Sequence, residues 1–301
     1  MTRTWPLPTE DRTLQLVGDV HFGAAAGTEF SVARRATVAA DLLRPTVPTV
    51  ARRVQVGDLT NTATPAQDTD ALAWFAELGG TTHYVVGNHD MWGVRSGSEA
   101  AAAWGLPAKD YAVDLGHCTL IVLGPDDIHP GNLTGCRYSD TSLNFLDEAL
   151  SASSNPCVIA AHAPLYGTVG AGGPATEYRS TDQYFYAATD SSYLTDAGIR
   201  SVLAAHDNVA AWVSGHTHSP MTANHVVKTE VAGGRTFAAV NAGCLAYTGT
   251  TREWLDPLVT LFLTVLDDRV EVRFRDHAAH QWITAGPDSR RVWGSPFGSA
   301  A

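Results

Sequence analysis

The chain has 301 residues, of which 45% are apolar and 17% are charged, a balance typical of a folded enzyme with a substantial core. Its 31 acidic and 20 basic residues give a net charge of −11, which argues against nucleic acid as a partner but allows a small anionic substrate held through a bound cation. No signal-like segment opens the sequence and no apolar run reaches membrane-spanning length, so we expect a cytoplasmic protein without a membrane partner.

The first third of the chain alternates strand and helix patterns. Apolar runs predict strands at residues 13–20, 52–57 and 84–86, and helical spacing predicts helices at 34–44 and 65–78 between them. This order is typical of parallel strands joined by right-handed crossovers. Because sites in such sheets form beyond the carboxyl ends of the strands, we expect the polar residues there to converge: Asp19, His21, Asp58, Asn88 and His89.

The stretch Gly87-Asn88-His89-Asp90 follows an apolar run that ends at the glycine. Asn88 can offer a neutral oxygen to a cation, and His89 can donate a proton near neutral pH. The same four residues also suit a tight turn, since Gly, Asn and Asp tolerate a positive φ angle. Taken alone, the stretch leaves both interpretations open.

The remaining elements are predicted in the same way. They are a hairpin at 111–115 and 118–123, a helix at 141–150 with its N-cap at Asp140 or Thr141, a strand at 157–161, a helix at 196–206, a strand at 209–213, and β-rich segments at 225–231, 235–240, 258–266 and 270–275. No linker divides the chain. We therefore predict one domain, residues 1–301, with a motif-bearing core at about 13–240 and a C-terminal β-rich part at about 241–301. The expected fold is a four-layer α/β/β/α sandwich of two mixed sheets flanked by helices.

The four cysteines are scattered through the sequence. Cys118 and Cys157 lie inside apolar runs, and no spacing suggests a paired framework. We expect reduced core residues rather than a disulfide, in keeping with a cytoplasmic protein.

Five separate strand ends carry carboxylate, amide or imidazole side chains that can bind a cation. These residues are Asp19, His21, Asp58, Asn88, His162, His216 and His218. Such donors, without thiolate, suit Mn, Fe, Zn or Co. Seven donors are too many for one ion; they suit two ions about 3.5–4 Å apart that share a bridging carboxylate, the arrangement used for in-line displacement at phosphorus.

The same residues resemble the five motifs of the calcineurin-like metallophosphoesterases, in that family's order. The motifs are Asp19-x-His21, Gly57-Asp58, Gly87-Asn88-His89-Asp90, His162 and Gly215-His216-x-His218. The pattern is most similar to the bacterial cyclic-nucleotide phosphodiesterase branch. Purple acid phosphatases resemble it too, but they carry a tyrosine shortly after the bridging aspartate, where this chain has Thr60 and Asn61. A coloured tyrosinate–iron centre is therefore not expected.

The resemblance implies that the donors divide into three sets: Asp19, His21 and His218 for a first metal ion, Asn88, His162 and His216 for a second, and Asp58 as the bridge between them. It favours Mn or an Fe/Mn pair. A hydroxide between the ions would attack phosphorus. His89 would protonate the leaving alkoxide or pair with the phosphoryl oxygens, and Asp90 would either orient the site or be a turn residue.

We therefore expect a phosphoester hydrolase that acts on a small phosphodiester. A phosphomonoesterase acting on a nucleotide or sugar phosphate is the alternative. A third interpretation is a non-catalytic scaffold of the same fold. Such a scaffold should have lost donors or the histidine after Asn88, and this sequence retains them all.

Substrate contacts are predicted from loops and charge. Arg95 and Arg179 are candidates for a phosphate clamp, because a guanidinium matches phosphate oxygens bidentately; the alternative is that both are surface charges. His129 lies in a loop after an apolar strand and is a further candidate. The segment 163–192 is long for a connection, so it is either a lid over the site or a contact with a neighbouring subunit of a homo-oligomer.

Overall fold

The computed structural model describes residues 11–23, 32–44, 47, 50–130, 135–169, 187–190, 195–218, 226–246, 258–283 and 293–299. The helices within these ranges are α1 (Val32–Leu42), α2 (Pro65–Glu77), α3 (Asn88–Met91), α4 (Gly97–Ala103), α5 (Asp140–Ala152) and α6 (Ala197–Ala205). The strands within them are β1 (Thr13–Val17), β2 (Arg52–Gln55), β3 (Thr81–Tyr84), β4 (Tyr111–Asp114), β5 (Thr119–Leu123), β6 (Asp127–Ile128), β7 (Cys136–Arg137), β8 (Cys157–Ala161), β9 (Ala187–Ala188), β10 (Val209–Ser214), β11 (Val227–Ala232), β12 (Arg235–Asn241), β13 (Val259–Val265), β14 (Arg269–Asp276), β15 (Gln281–Trp282), β16 (Trp293–Pro296) and β17 (Gly298–Ser299).

The first sheet has the strand order β15-β14-β13-β1-β2-β3, and β16 also pairs with β14. β1, β2 and β3 run parallel, with α1 and α2 as the crossovers between them. This confirms the predicted β-α-β-α-β unit. β13 joins β1 antiparallel and β14 continues as a hairpin, so the C-terminal β-rich part completes a sheet that the N-terminal part begins.

The second sheet has the order β11-β12-β10-β8-β5-β4, and β17 also pairs with β12. Its four central strands, β12, β10, β8 and β5, are parallel, and antiparallel strands close both edges. A small third sheet, β6-β7-β9, was not predicted, because two-residue strands carry no readable period in the sequence.

Alternation along the strands creates the layers. Leu16 of β1 belongs to the core shared by both sheets, which also includes Val122 and Ala160 of the second sheet. A second cluster packs α1 and α2 on the outside of the first sheet, and a third packs α5 and α6 on the outside of the second. The predicted four-layer α/β/β/α sandwich of two mixed sheets is confirmed.

Most boundaries differ from the sequence prediction by one to three residues, and three differences have an identifiable cause. The third strand is β3, which ends at Tyr84, although Val85 N still donates to Gln55 O at 2.9 Å. The sequence of β3 has no apolar run, since it begins with the exposed Thr81 and the half-buried Thr82, and it forms the edge of the sheet. The N-cap of α5 is Ser139 and not Asp140 or Thr141, since Asp140 already lies in the first turn, where a carboxylate is favoured by the helix dipole. A one-turn helix, α3, replaces the tight turn considered for residues 87–90.

The described helices include none that combines the length and the apolar character needed to span a membrane. All four cysteines lie within the described residues, and none of them is in a disulfide bond. Cys118, Cys136 and Cys157 are fully buried, as expected for core residues, but Cys244 is half-buried and lies beside the loop that follows β1. Its position was not foreseen.

A buried polar cluster fastens α1 to the first sheet. The Asp41 carboxylate accepts two hydrogen bonds from Arg275, at 2.8 and 2.7 Å, and one each from the Nδ1 atoms of His277 and His280, at 2.8 and 3.0 Å. Burial alone would raise the pKa of Asp41, but these hydrogen bonds outweigh it and hold the pKa well below its usual range. Asp41 and Arg275 therefore form a buried, stabilising ion pair, and the two histidines donate the remaining hydrogen bonds to the carboxylate.

We expect Asp41→Asn to lower the free energy of unfolding by about 3 kcal/mol at neutral pH, because Arg275 stays buried without its charge partner. The pKa of Asp41 is lower in the folded than in the unfolded state, so its contribution is complete above about pH 4 and is lost as the pH falls below that value. Urea unfolding of both proteins at several pH values measures the difference. A difference that stays constant from about pH 7 to pH 3 would contradict this account.

Candidate metal centre

The loops that carry the seven predicted donors meet at one end of the sandwich. The first sheet supplies those after β1, β2 and β3, and the second sheet supplies those after β8 and β10. Backbone hydrogen bonds join neighbouring loops: His21 N donates to Asp58 O, and Gly215 N donates to His162 O, both at 2.9 Å. The predicted convergence of strand ends is therefore confirmed, and each sheet contributes part of the donor set.

Most of the donors have a left-handed backbone. Eight described residues other than glycine have a positive φ, and five of them are predicted metal ligands: Asp19 (40°), His21 (44°), Asp58 (54°), His216 (66°) and His218 (49°). This conformation costs an L-residue of the order of 1–3 kcal/mol and collects at functional sites, where the surrounding structure enforces it. The fold here holds these side chains in positions that an unstrained loop would not give.

The first group of donors is Asp19, His21, Asp58 and His218, whose ligand atoms all lie within 4.8 Å of one another. His21 Nε2 is 3.0 Å from His218 Nε2 and 3.5 Å from Asp58 Oδ2. His218 Nε2 is 3.4 Å from Asp19 Oδ1. The four side chains thus face one point.

The second group is Asp58, His162 and His216, again with ligand atoms within 4.8 Å. His162 Nε2 is 3.3 Å from Asp58 Oδ1 and 2.9 Å from Asn88 Oδ1. Asp58 therefore belongs to both groups and presents a different oxygen to each. That is the geometry a bridging carboxylate requires.

The donor set fits metal ions. His162 Nδ1 is 2.8 Å from Val56 O, which can only accept, so this nitrogen carries the ring proton. In the neutral ring, Nε2 then presents a lone pair toward two oxygens, those of Asp58 and Asn88. A cation among these lone pairs satisfies all three at once. Imidazole and carboxylate donors suit Mn, Fe, Zn or Co.

Protonation states at the site follow from burial and from neighbouring charge. Burial lowers the pKa of His21 and of His216 well below the ordinary value, which favours the neutral imidazole that metals bind. Burial would raise the pKa of Asp58, but the charges of His162 and His89 outweigh it and hold that pKa well below its usual range. Burial likewise opposes the charge on His162, yet the Asp58 carboxylate outweighs it and raises the pKa of His162 to about 9. A proton and a metal cation therefore compete for the lone pair of His162 Nε2.

His89 is fixed on every side except one ring nitrogen. Its backbone N–H donates to Asp58 Oδ1 at 2.9 Å, and its Nδ1 donates to Asn61 O at 2.8 Å. The ring stacks on Trp92, with centroids 4.1 Å apart, and meets His21 edge-on at 4.5 Å. With Nδ1–H engaged, Nε2 is the nitrogen that can exchange a proton with a ligand beside the metals.

Asp90 connects the loops that carry Asp58 and Asn88. One of its carboxylate oxygens accepts from Gly87 N at 2.8 Å and Leu59 N at 3.2 Å, and the other accepts from Thr60 N at 2.7 Å and from the Thr60 hydroxyl at 3.0 Å. Fully buried and bonded to both loops, Asp90 has the contacts of an orienting residue rather than of a simple turn residue.

Two glycines make the close approach of these loops possible. Gly57 has a φ of 94°, and a Cβ at this position would overlap the ring of His162. A Cβ at Gly87 would overlap Asp58. The glycine before each of these donors is therefore a steric requirement of the site as well as a turn residue.

The three predicted substrate contacts are not placed as clearly as the metal donors. Arg95 donates to Asp90 O through Nε at 2.6 Å and to both carboxylate oxygens of Asp68 at 2.7 and 2.9 Å. The prediction of Arg95 as a phosphate clamp is not supported, because its guanidinium fork is engaged by Asp68. His129 is half-buried between β6 and β7, with its backbone N–H on Gly135 O, and its contact with substrate stays a prediction. Arg179 lies outside the described residues, as does most of the segment 163–192.

Cys244 is a metal-capable residue at this site that the sequence prediction missed. Its Sγ and one ring nitrogen each of His21 and His218 lie within 4.8 Å of one another. No local sequence signal could have found it, because its place depends on the parallel pairing of β12 with β10, in which Ser214 aligns with Asn241. That register places residues 242–246 beside residues 215–218, so β12 contributes a sixth strand end to the site.

The sequence model of the calcineurin-like phosphoesterases matches residues 14–220, which include all seven predicted ligands. No curated protein matches this sequence. The matched range ends two residues after His218, so the family pattern covers the donor loops of both sheets but not Cys244.

Solved structures with a similar fold include three from different eukaryotes. They are a dimetal phosphatase from Danio rerio (15% identity, TM-score 0.62, covering 89% of this chain and 97% of that one), the purple acid phosphatase PPD1 from yellow lupin (14%, 0.58, 90% and 52%) and GAP50, described as the anchor in the inner membrane complex of Plasmodium (10%, 0.53, 96% and 89%). At these identities the likeness establishes the fold and nothing finer.

Proposed function

The chain belongs to the calcineurin-like phosphoesterase family, and we propose that it is a two-metal hydrolase of small phosphodiesters. The observation that supports this most directly is the placement of Asp58. Its Oδ2 lies 3.5 Å from His21 Nε2 in the first group, and its Oδ1 lies 3.3 Å from His162 Nε2 in the second. A carboxylate that lies between two pairs of imidazoles can bridge two closely spaced cations.

Two bound cations would lower the pKa of a water held between them and withdraw charge from the phosphoryl oxygens. The residues of the chain then have separate tasks. His89 would deliver a proton from Nε2 to the leaving-group oxygen, because Asn61 O holds its other nitrogen. Trp92 covers one face of the same ring and keeps it from turning. Asp90 ties together the loops of Asp58 and Asn88, so that donors from two strands keep their spacing.

A phosphomonoesterase is the second candidate. The dimetal phosphatase and the purple acid phosphatase that share this fold are both named as phosphatases, which favours it. The retained donors and the engaged, well-oriented His89 support hydrolysis of either kind over a non-catalytic scaffold. The two hydrolytic candidates differ in the number of ester groups on phosphorus and therefore in the charge of the phosphoryl group.

The experiment that tests this proposal removes and restores the metal. The full chain is stripped with a chelator, its metal content is checked by elemental analysis, and hydrolysis of bis(p-nitrophenyl) phosphate and p-nitrophenyl phosphate is measured before and after Mn²⁺ is added. We expect the diester activity to disappear and return. Full activity in verified metal-free protein would contradict the two-metal proposal, and a higher restored rate on the monoester would select the second candidate.

The natural substrate class is approached with the same Mn-loaded protein. It is assayed against cyclic nucleotides, nucleoside monophosphates, sugar phosphates and glycerophosphodiesters. Turnover confined to a diester class supports the proposal. Absence of turnover on every phosphoester, including the nitrophenyl compounds, would contradict a hydrolase.

A further inference from the structure

Cys244 lies directly beside the first donor group. Two backbone hydrogen bonds attach its segment to the loop after β1: Leu245 N donates to Gly18 O at 3.3 Å, and Ala246 N donates to Asp19 O at 3.2 Å. The Cys244 thiol donates to the same Asp19 carbonyl at 3.2 Å. The sulfur is therefore held by the residue whose carboxylate belongs to the first group, and not by a separate surface turn.

The sulfur belongs to a metal-capable group with two imidazoles, and this group is separate from the one that includes Asp19 and Asp58. Sγ and one nitrogen each of His21 and His218 lie within 4.8 Å of one another, and the same two histidines belong to the first donor group. The guanidinium of Arg34 donates to Leu245 O at 3.1 and 3.3 Å and so holds the segment that carries Cys244.

Cys244 also differs from the other three cysteines. Those are fully buried members of the apolar clusters, although Cys118 Sγ also lies 3.3 Å from His117 Nε2. Cys244 is half-buried, packs against the cluster that holds α1 and α2, and has two imidazoles near its sulfur. Thiolate is a softer donor than imidazole or carboxylate and selects Zn²⁺ and similar cations over Mn²⁺.

We propose that Cys244 is a sulfur donor to the first metal position, together with His21 and His218, and that it raises the affinity of this position for Zn²⁺ and Co²⁺ relative to Mn²⁺. On binding, the S–H bond breaks, the proton passes to solvent, and the sulfur electron pair coordinates the cation, with no change of oxidation state. The inference rests on the metal centre of the proposed function and adds a donor that the family motifs do not include.

The test uses full-length metal-free protein, kept reduced with a phosphine, and Co²⁺ as the probe. Wild-type protein should bind Co²⁺ with a thiolate-to-cobalt charge-transfer band in the near ultraviolet. Cys244→Ser, which replaces sulfur by a hard oxygen of similar size, should still bind Co²⁺ through its imidazoles, with visible bands but no charge-transfer band. A band of equal intensity in Cys244→Ser, or no band in cobalt-loaded wild-type protein, would overturn the proposal.

A second measurement needs no variant. Native protein is treated with iodoacetamide in the presence of Zn²⁺, of Mn²⁺ or of neither, and labelling of Cys244 is followed by mass spectrometry; the three buried cysteines are the internal control. We expect Zn²⁺ to slow labelling of Cys244 at least about tenfold more than Mn²⁺ does. Equal labelling in all three conditions would overturn the sulfur ligand. Failure to bind any Co²⁺ or Zn²⁺ would instead overturn the metal centre, and with it the proposed function.

Discussion

Asp58→Ala is expected to release metal from both positions at once and to lower kcat/KM for a phosphodiester by at least about 10³-fold, equivalent to about 4 kcal/mol of transition-state stabilisation. The reason is geometric, because the two oxygens of this carboxylate face different donor groups, at 3.5 and 3.3 Å from the nearest imidazole nitrogens. Elemental analysis of protein loaded with excess Mn²⁺ and then desalted measures the effect. Wild-type protein should hold two metal ions, and the variant should hold fewer than one.

Two further variants control this experiment. Asp58→Asn keeps the shape of the side chain and tolerates the left-handed backbone at this position, so it separates loss of charge from loss of fold. Asp41→Asn removes a different buried carboxylate and should retain both metals. If Asp58→Ala kept one metal ion at full occupancy, the carboxylate would not be a bridge.

His89→Ala is expected to keep both metal ions and to slow hydrolysis in proportion to the basicity of the leaving group. A general acid contributes about 10²–10⁴-fold where the leaving oxygen needs a proton. For an alkyl phosphodiester we expect a loss in that range, whereas bis(p-nitrophenyl) phosphate, whose leaving group departs as a stable anion, should lose much less. The ratio of the two rates is the measurement, since it cancels small losses of active protein.

His206→Ala is the matched control for His89→Ala. His206 precedes β10, at the opposite end of that strand from His216, and its Nε2 is paired with Asp147 at 2.8 Å, so its removal should leave both rates unchanged. Equal losses on the two substrates in His89→Ala would show that the ring positions the phosphoryl group rather than donating a proton. An unchanged rate on the alkyl diester would rule out both roles.

The sequence predicted the core of this fold and the convergence of seven metal-capable side chains because each of those features is local. An apolar run followed at once by a polar residue, as from Val54 to Asp58, indicates a buried strand. It also indicates the carboxyl edge of the sheet, where sites form. The ambiguity at residues 87–90 was also local, and the structure shows a one-turn helix there instead of a tight turn. Asn88 begins a one-turn helix and at the same time places its amide oxygen 2.9 Å from His162.

The features that the sequence did not predict depend on residues far apart in the chain. Arg95 has the charge of a phosphate clamp, and only the fold shows that Asp68, 27 residues earlier, engages it. Cys244 gave the pattern of an ordinary core thiol. It reaches the first donor group through the pairing of β12 with β10, and neither strand carries a local signal of that pairing.

Each donor group draws on both sheets: His218 joins three residues of the first sheet, and His162 and His216 join Asp58. A cation bound in either group would therefore act as a clasp between the two halves of the sandwich. Any motion that parts the sheets at this end must break its coordination, so the free energy of binding adds to the resistance against opening. The donors span residues 19–218, so the metal site can form only after both sheets have formed and packed together, late in folding.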